Sequence, residues 1–259
     1  MRRTSKGHTA KVDLIRVLLL TLHPIGLLLP ILFCSSFKVI TLSIGMRLKY
    51  WVRSPNLMPF YVLKLGGSLL NCAKHLMHRL HGLTTEGYSF LVTPGGGPMA
   101  DLVRDIFAKQ SISEEAAHWM AILAMEQYAY LLADGTGAGL TSEIKRSCGL
   151  KVLLPYQALL EDDEGICHSW NYTSDAVAAI VARRLDADMI KATDVDGIAM
   201  EEGIVSEISA NALLGRRTCI DQGALHLLRG RSCWVLNGSD PDKFVSMLKK
   251  GKGGTVIRG

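Results

Sequence analysis

From residue 60 onward, short apolar runs alternate with longer stretches in which apolar residues recur every three or four positions. The runs at 60–65, 89–93, 151–154, 189–192, 232–236 and 255–257 have the length of buried strands and are bounded by Gly, Pro, Asn or Asp. Between them, residues 69–85, 99–109, 173–185 and 241–250 read as helices. In the 173–185 segment, Ala176, Val177, Ile180, Val181 and Leu185 share one face. Ser111 and Glu114 stand at capping-box spacing and open a further, long helix to about residue 133. Pro98 suits a first helical turn, and Asp240-Pro241 caps the last helix. Strands that alternate with helices in this way predict an α/β fold, a three-layer αβα sandwich with a largely parallel central sheet.

The first 57 residues break this rhythm. Residues 14–34 are strongly apolar with basic residues on both sides, which resembles a signal peptide or a weak membrane span. Arg16, Pro24 and Pro30 interrupt the run, and no small-x-small cleavage site follows Cys34. The competing expectation is that the working chain is a domain of residues 58–259, starting just before the first good strand. Membrane contact is expected only if residues 14–34 are retained.

Charge follows the same division. The chain is +5 overall, but residues 1–57 hold nine Lys/Arg against one acid, which leaves residues 58–259 at −3. An acidic body of this kind excludes a general nucleic-acid-binding surface. The six cysteines, Cys34, Cys72, Cys148, Cys167, Cys219 and Cys233, show no zinc-site spacing. In a chain of 259 residues that is 48% apolar, no disulfide framework is needed, so reduced thiols and a cytoplasmic location are expected.

Four short stretches carry candidate chemistry. Lys64-Leu65-Gly66-Gly67-Ser68 ends the first strand with a lysine and a turn that brings backbone amides close to an anion. Gly95-Gly96-Gly97 ends the second strand. In a parallel sheet both turns lie on the carboxyl edge, where ligands of open α/β folds bind. Thr173-Ser174-Asp175 opens a helix: Thr173 is a candidate N-cap, and Asp175 either complements the helix dipole or orients a lysine. Lys191-Ala192-Thr193-Asp194-Val195-Asp196-Gly197 ends a strand with a lysine and two acids, suited to a nucleotide's ribose and phosphates or to a plain Asp-Gly turn.

In this order, the four stretches resemble the amino acid kinase family, over residues 60–258. No Gly-x-x-x-x-Gly-Lys-Ser/Thr is present, so the chain is not a P-loop kinase. The 191–197 loop is close to that of uridylate kinases. Gly95-Gly96-Gly97-Pro98, however, lacks the Asn and Arg-Gly of their acceptor loop. Residues 117–128 and 168–175 look instead like the branch of [5-(aminomethyl)furan-3-yl]methyl phosphate kinases of methanofuran biosynthesis, with uridylate kinase as the alternative. A non-catalytic subunit that binds nucleotides or stores oxyanions is a further reading of the fold.

The resemblance implies ATP and Mg²⁺, with Mg²⁺ bound through phosphates and water and no ligand from the protein, a small-molecule phosphate as acceptor, and a homo-oligomer. It implies catalytic roles for Lys64, Asp175 and Lys191, with Arg216 or Arg217 as the alternative to Lys191. Nucleotide and phosphate contacts fall to Gly66, Gly67, Ser68, Thr193, Asp194, Asp196 and Gly197. Acceptor contacts fall to Gly95, Gly96, Gly97, His168, Trp170, Thr173 and Ser174. His118 and Trp119 are further candidates for the acceptor pocket, although Trp119 on a long helix reads more simply as core.

Overall fold

Phe60–Leu65 forms β1, and its last four residues are buried because both faces of the strand are covered. Side chains alternate across a strand. Leu63 and Leu65 therefore enter one apolar layer, while Val62 enters the opposite one, and Lys64 projects to Val62's side. The computed structural model describes residues 59–259, so the expectations for residues 1–57 lie outside the described residues. Among the described residues, no helix is long and apolar enough to cross a membrane.

After β1 the chain forms a 3-10 turn, Gly67–Leu69, then α1 (Ala73–Thr84), β2 (Ser89–Pro94), α2 (Gly97–Gln110) and α3 (Glu114–Ala133). Next come β3 (Gly139–Thr141), β4 (Leu150–Leu153), α4 (Pro155–Leu159), α5 (Ser174–Arg184) and β5 (Met189–Thr193). A small antiparallel hairpin, β6 (Ala199–Met200) and β7 (Gly203–Ile204), precedes β8 (Glu207–Ser209). The chain closes with α6 (Ala210–Leu213), α7 (Gln222–Leu227), β9 (Ser232–Asn237), α8 (Pro241–Lys250) and β10 (Thr255–Arg258).

The main sheet has the order β3-β4-β2-β1-β5-β9-β10-β8. All its pairings are parallel except β9 with β10. From β1 the chain moves to β2 on one side and later returns to β5 on the other. The carboxyl ends of β1 and β5 thus flank a topological switch point. Residues from α1, α3 and α8 (Leu76, Tyr128, Phe244) pack on one face. Residues from α5 and α7 (Val181, Ala182, Ala224) pack on the other. This is the three-layer αβα arrangement expected from the pattern.

Three local details depart from expectation. The helix expected from residue 69 begins at Ala73, because Leu69 and Leu70 donate to Gly66 and Gly67 (3.1 and 3.2 Å) and close a tighter turn first. Ser111 does not cap α3: it sits at φ 49° as the left-handed end of α2, and Ser113 Oγ accepts from the Ala116 amide at 3.1 Å instead. The short elements β3, β6, β7, β8, α4, α6 and α7 were not expected, since two to six residues are too few to show a period.

Candidate active site

Residues paired across parallel strands project to the same face of the sheet, and Lys64 of β1 pairs directly with Lys191 of β5. Both side chains reach the first turn of α5, which carries Asp175. Lys64 Nζ lies 2.9 Å from Asp175 Oδ1, and Lys191 Nζ lies 2.5 Å from Oδ2. The Lys64 contact is an ion pair without hydrogen-bond alignment, whereas Lys191 donates an aligned bond. All three residues are at most 6% exposed, so the charges have mainly one another to interact with.

The balance is uneven, with two ammonium groups facing one carboxylate. Burial lowers the Lys64 pKa, and the attraction of Asp175 does not fully offset it. Burial also works against the Lys191 ammonium, but Asp175 outweighs it and the net direction is upward. Burial pushes the Asp175 carboxyl up, while Lys191 and then Lys64 pull it further down, well below the usual carboxylate range. Taken by themselves, the three ionised groups sum to one positive charge, an arrangement suited to a multiply charged anion.

Asp221, immediately before α7, was missed by sequence reasoning and organises this cluster. Its Oδ2 accepts from Thr173 N, Thr173 Oγ1 and Ala176 N at 3.0, 2.8 and 3.2 Å, which caps α5. Its Oδ1 accepts from Ala224 N at 2.6 Å and caps α7. Its own amide donates to Asp175 Oδ2 at 3.2 Å. Burial, and then the neighbouring Asp175, raise its pKa. Thr173 is the N-cap residue of α5 by position, but its hydroxyl serves Asp221 and not the helix. The one available signal was an Asp ahead of a helix of six residues, α7, whose second residue is Gly. Asp221→Ala is expected to lose both caps, at about 1–2 kcal/mol each. Urea unfolding would measure this, together with a lowered kcat from a misplaced Asp175.

The two glycine turns meet on the carboxyl edge. The Gly66 amide donates to Ala192 O at 2.9 Å and the Gly95 amide to Leu65 O at 2.8 Å, which ties both turns to the strand ends. Gly67 and Ser68 head the 3-10 turn, and Gly96 and Gly97 head α2, positions whose amides have no acceptor within the helix. A Cβ on Gly67 would lie 2.5 Å from Gly97 N and Cα, so only glycine permits this approach.

Thr193, Asp194, Asp196 and Gly197 continue from the end of β5, beside the end of β9. Asn237 donates to Asp196 at 3.0 Å, Lys243 lies 3.8 Å from the same carboxylate, and the Asp194 side chain is exposed. Gly197 packs so closely on Thr255 that a Cβ would meet its hydroxyl at 2.5 Å. Arg216 and Arg217 are exposed and form no ion pair among the described residues. Of the proposed second cations, the structure brings Lys191, not an arginine, to Asp175.

A narrow cleft of about 40 Å³ opens between α2, α3 and the segment leading into α5. Gly96, Ala100, Trp170, Thr173 and Ser174 line it, and His118 and Met125 contribute from α3. Trp170 packs edge-on to Phe107 with centroids 5.7 Å apart, and the Arg104 guanidinium lies 5.3 Å from its ring. His168 does not line this cleft. Its ring stacks on His118 and bonds to Glu115 and Asp163. Trp119 is half-buried and donates to Glu115 at 2.7 Å. The five cysteines among the described residues are free thiols.

Comparison with known proteins agrees with this geometry. The chain is 34% identical over 203 residues to the [5-(aminomethyl)furan-3-yl]methyl phosphate kinase of Methanocaldococcus jannaschii, covering 73% of this chain and 93% of that protein. Crystal structures of uridylate kinase from Archaeoglobus fulgidus and UMP kinase from Bacillus anthracis share the fold. Their TM-scores are 0.58 and 0.56 at 21% and 15% identity, over 76% and 78% of this chain and 99% and 96% of theirs. The amino acid kinase family model matches residues 59–148 and 149–233, the span that carries the paired lysines and both glycine turns. The chain belongs to the amino acid kinase family.

Proposed function

We propose that this chain is an ATP-dependent kinase whose acceptor is itself a phosphomonoester, and that the acceptor is [5-(aminomethyl)furan-3-yl]methyl phosphate, on the pathway to methanofuran. The observation that carries this reading is the buried Lys64–Asp175–Lys191 cluster, in which two ammonium groups share one carboxylate beside two glycine turns. Such a cluster suits the charge that spreads over phosphate oxygens during transfer. The 34% identity to a kinase named for that acceptor supports the substrate.

In the transfer, an oxygen of the acceptor phosphate forms a bond to the γ-phosphorus of ATP. The bond from that phosphorus to the β,γ-bridging oxygen breaks, and its electron pair leaves with ADP. Lys64 stabilises charge on the leaving and transferred phosphates, and Lys191 provides the second cation. Asp175 orients both and takes no proton. The acceptor phosphate is already anionic near neutral pH, so no general base is required. Amides of Gly67 and Ser68 hold the transferred group, while those of Gly96 and Gly97 admit the acceptor phosphate. Thr193, Asp194, Asp196 and Gly197 face the nucleotide. Mg²⁺ carried by ATP, held chiefly by phosphate and water oxygens, supplies further charge neutralisation.

On the acceptor side, the face of Trp170 and the apolar Ala100 and Met125 suit a furan ring, and Glu114 at the cleft suits its ammonium group. Uridylate is the second reading, favoured by the fold of the solved neighbours alone. An ADP-release assay separates the two. We expect kcat/KM for the aminomethylfuran phosphate to exceed that for UMP by about 100-fold or more. Activity with UMP alone would reject the assignment.

The kinase is also proposed to be a homo-oligomer. Leu102 on α2 and Leu123 and Tyr130 on α3 are large apolar side chains left exposed. Replacing Leu123 and Tyr130 together by Glu is expected to reduce the mass measured by light scattering to that of a monomer. An unchanged mass would move the interface elsewhere.

A further inference from the structure

At the edge of the acceptor cleft, at the start of α3, lies a cluster to which the transfer steps above assign no role, although one member, His118, also lines the cleft. His168 Nε2 faces Asp163 Oδ2 at 2.7 Å. The His118 ring stacks on His168 with centroids 3.9 Å apart and planes 9° from parallel. One donor atom from each of His118, Asp163 and His168 lies within 4.8 Å of the others. Glu115 bonds the other nitrogen of His168, Nδ1, and Trp119 Nε1 donates to the second oxygen of Glu115 at 2.7 Å.

The geometry points to a divalent transition-metal site formed by His118, Asp163 and His168, with Glu115 and Trp119 as its supporting shell. Two imidazoles and a carboxylate form a donor set suited to Zn²⁺, Co²⁺ or Ni²⁺, and poorly suited to the oxygen-seeking Mg²⁺ of the kinase reaction. The distinguishing feature is the support. Glu115 accepts from His168 Nδ1, as carboxylates do behind metal-bound histidines, so that an ion displacing the Nε2 proton now facing Asp163 would find the Nε2 lone pair. The Trp119 indole donates to the second oxygen of Glu115 and holds that carboxylate against His168.

Tetrahedral ligands at bond lengths of about 2.0–2.1 Å stand roughly 3.3 Å apart. The His118 donor therefore needs to move in by about 1.5 Å or less, the His168 and Asp163 donors, 2.7 Å apart, need to part slightly, and the two rings must turn out of parallel to aim at one ion. Asp163 and His168 belong to the segment between α4 and α5, whereas His118 belongs to α3. A bound ion would pin that segment, which goes on to Ser169 and Trp170 of the acceptor cleft, against the long helix.

The test is a Co²⁺ titration of the metal-stripped full-length protein, without nucleotide or acceptor, read by visible absorption and by thermal shift. One equivalent should bind, with the intense visible bands of low-coordinate Co²⁺ and a raised Tm. His118→Ala and His168→Ala should each weaken binding by more than about 100-fold, and Glu115→Ala by about 10–100-fold with the ligands intact. Asp163→Asn preserves shape and gives the same reading if the histidine variants fail to fold. The site is refuted by absence of stoichiometric binding, or by binding that persists unchanged in these variants, as adventitious binding to His75, His78 and His81 would. The readout needs no phosphoryl transfer, so loss of kinase activity and loss of metal binding are separate outcomes.

Discussion

Lys64→Ala is expected to lower kcat by about 10²–10³-fold, the cost of removing one preorganised charge donor from a transition state. Lys64 ends β1 at the switch point, and its ammonium lies 2.9 Å from Asp175 in a site with almost no solvent access. Water cannot readily replace the lost charge there, so the effect should fall mainly on kcat and not on KM for the acceptor. The variant should fold, because Lys64 is the cation whose pKa its surroundings lower on balance, and Asp175 keeps Lys191 as its partner. Steady-state ADP release with saturating ATP and acceptor is the measurement. Unchanged turnover would remove Lys64 from the mechanism.

Asp175→Asn is expected to be the most destabilising single change at the site. It leaves two buried ammonium groups side by side on β1 and β5 without the carboxylate that touches both. Removing one partner of a buried ion pair costs about 3–5 kcal/mol. The Asp221 amide would also face an amide group that offers at best one acceptor. Urea unfolding at neutral pH should show the loss, and added ATP should restore part of it by supplying anions to the stranded lysines. The pH dependence has a definite sign. The folded-state pKa of Asp175 is depressed. Its contribution is therefore present above the unfolded-state value near 3.9 and is lost as pH falls through the folded-state value. Asp175→Asn should lack that acid-side loss. Stability within about 0.5 kcal/mol of the parent, the range of an ordinary surface change, would mean that the lysines are not held by this carboxylate.

Much of this site was legible from residue order. Lys64 and Lys191 each end an apolar run before glycine or acid, and both strands are long enough to be recognised. That the two lysines would be direct neighbours was not legible, because strand order in a parallel sheet is set by crossovers and not by local pattern. The same reason hid Asp221, whose partners Thr173 and Asp175 lie more than forty residues away in the chain. His168 was placed in the acceptor pocket because it precedes Thr173 by five residues. Backbone turns in that segment, such as Tyr172 N to Ser169 O at 3.0 Å, present Trp170 to the cleft and His168 to Glu115. The capping error at Ser111 has a similar origin: spacing alone does not reveal which of two nearby serines takes the extended conformation a cap requires.

The main-chain contact between Gly67 and Gly97 has a bearing on how such enzymes diversify. The separation between the two glycine turns is set by backbone against backbone, so it does not depend on side chains elsewhere. On the proposed reading, recognition of the rest of the acceptor falls to α2 beyond its first turn, to α3 and to the segment before α5, none of which sets that separation. A lineage could therefore exchange one phosphate ester for another by rewriting that wall, while inheriting the alignment of the two phosphates unchanged. Redesign of acceptor choice in this chain should accordingly begin at Glu114, Ser169 and Trp170 and leave both glycine turns as they are.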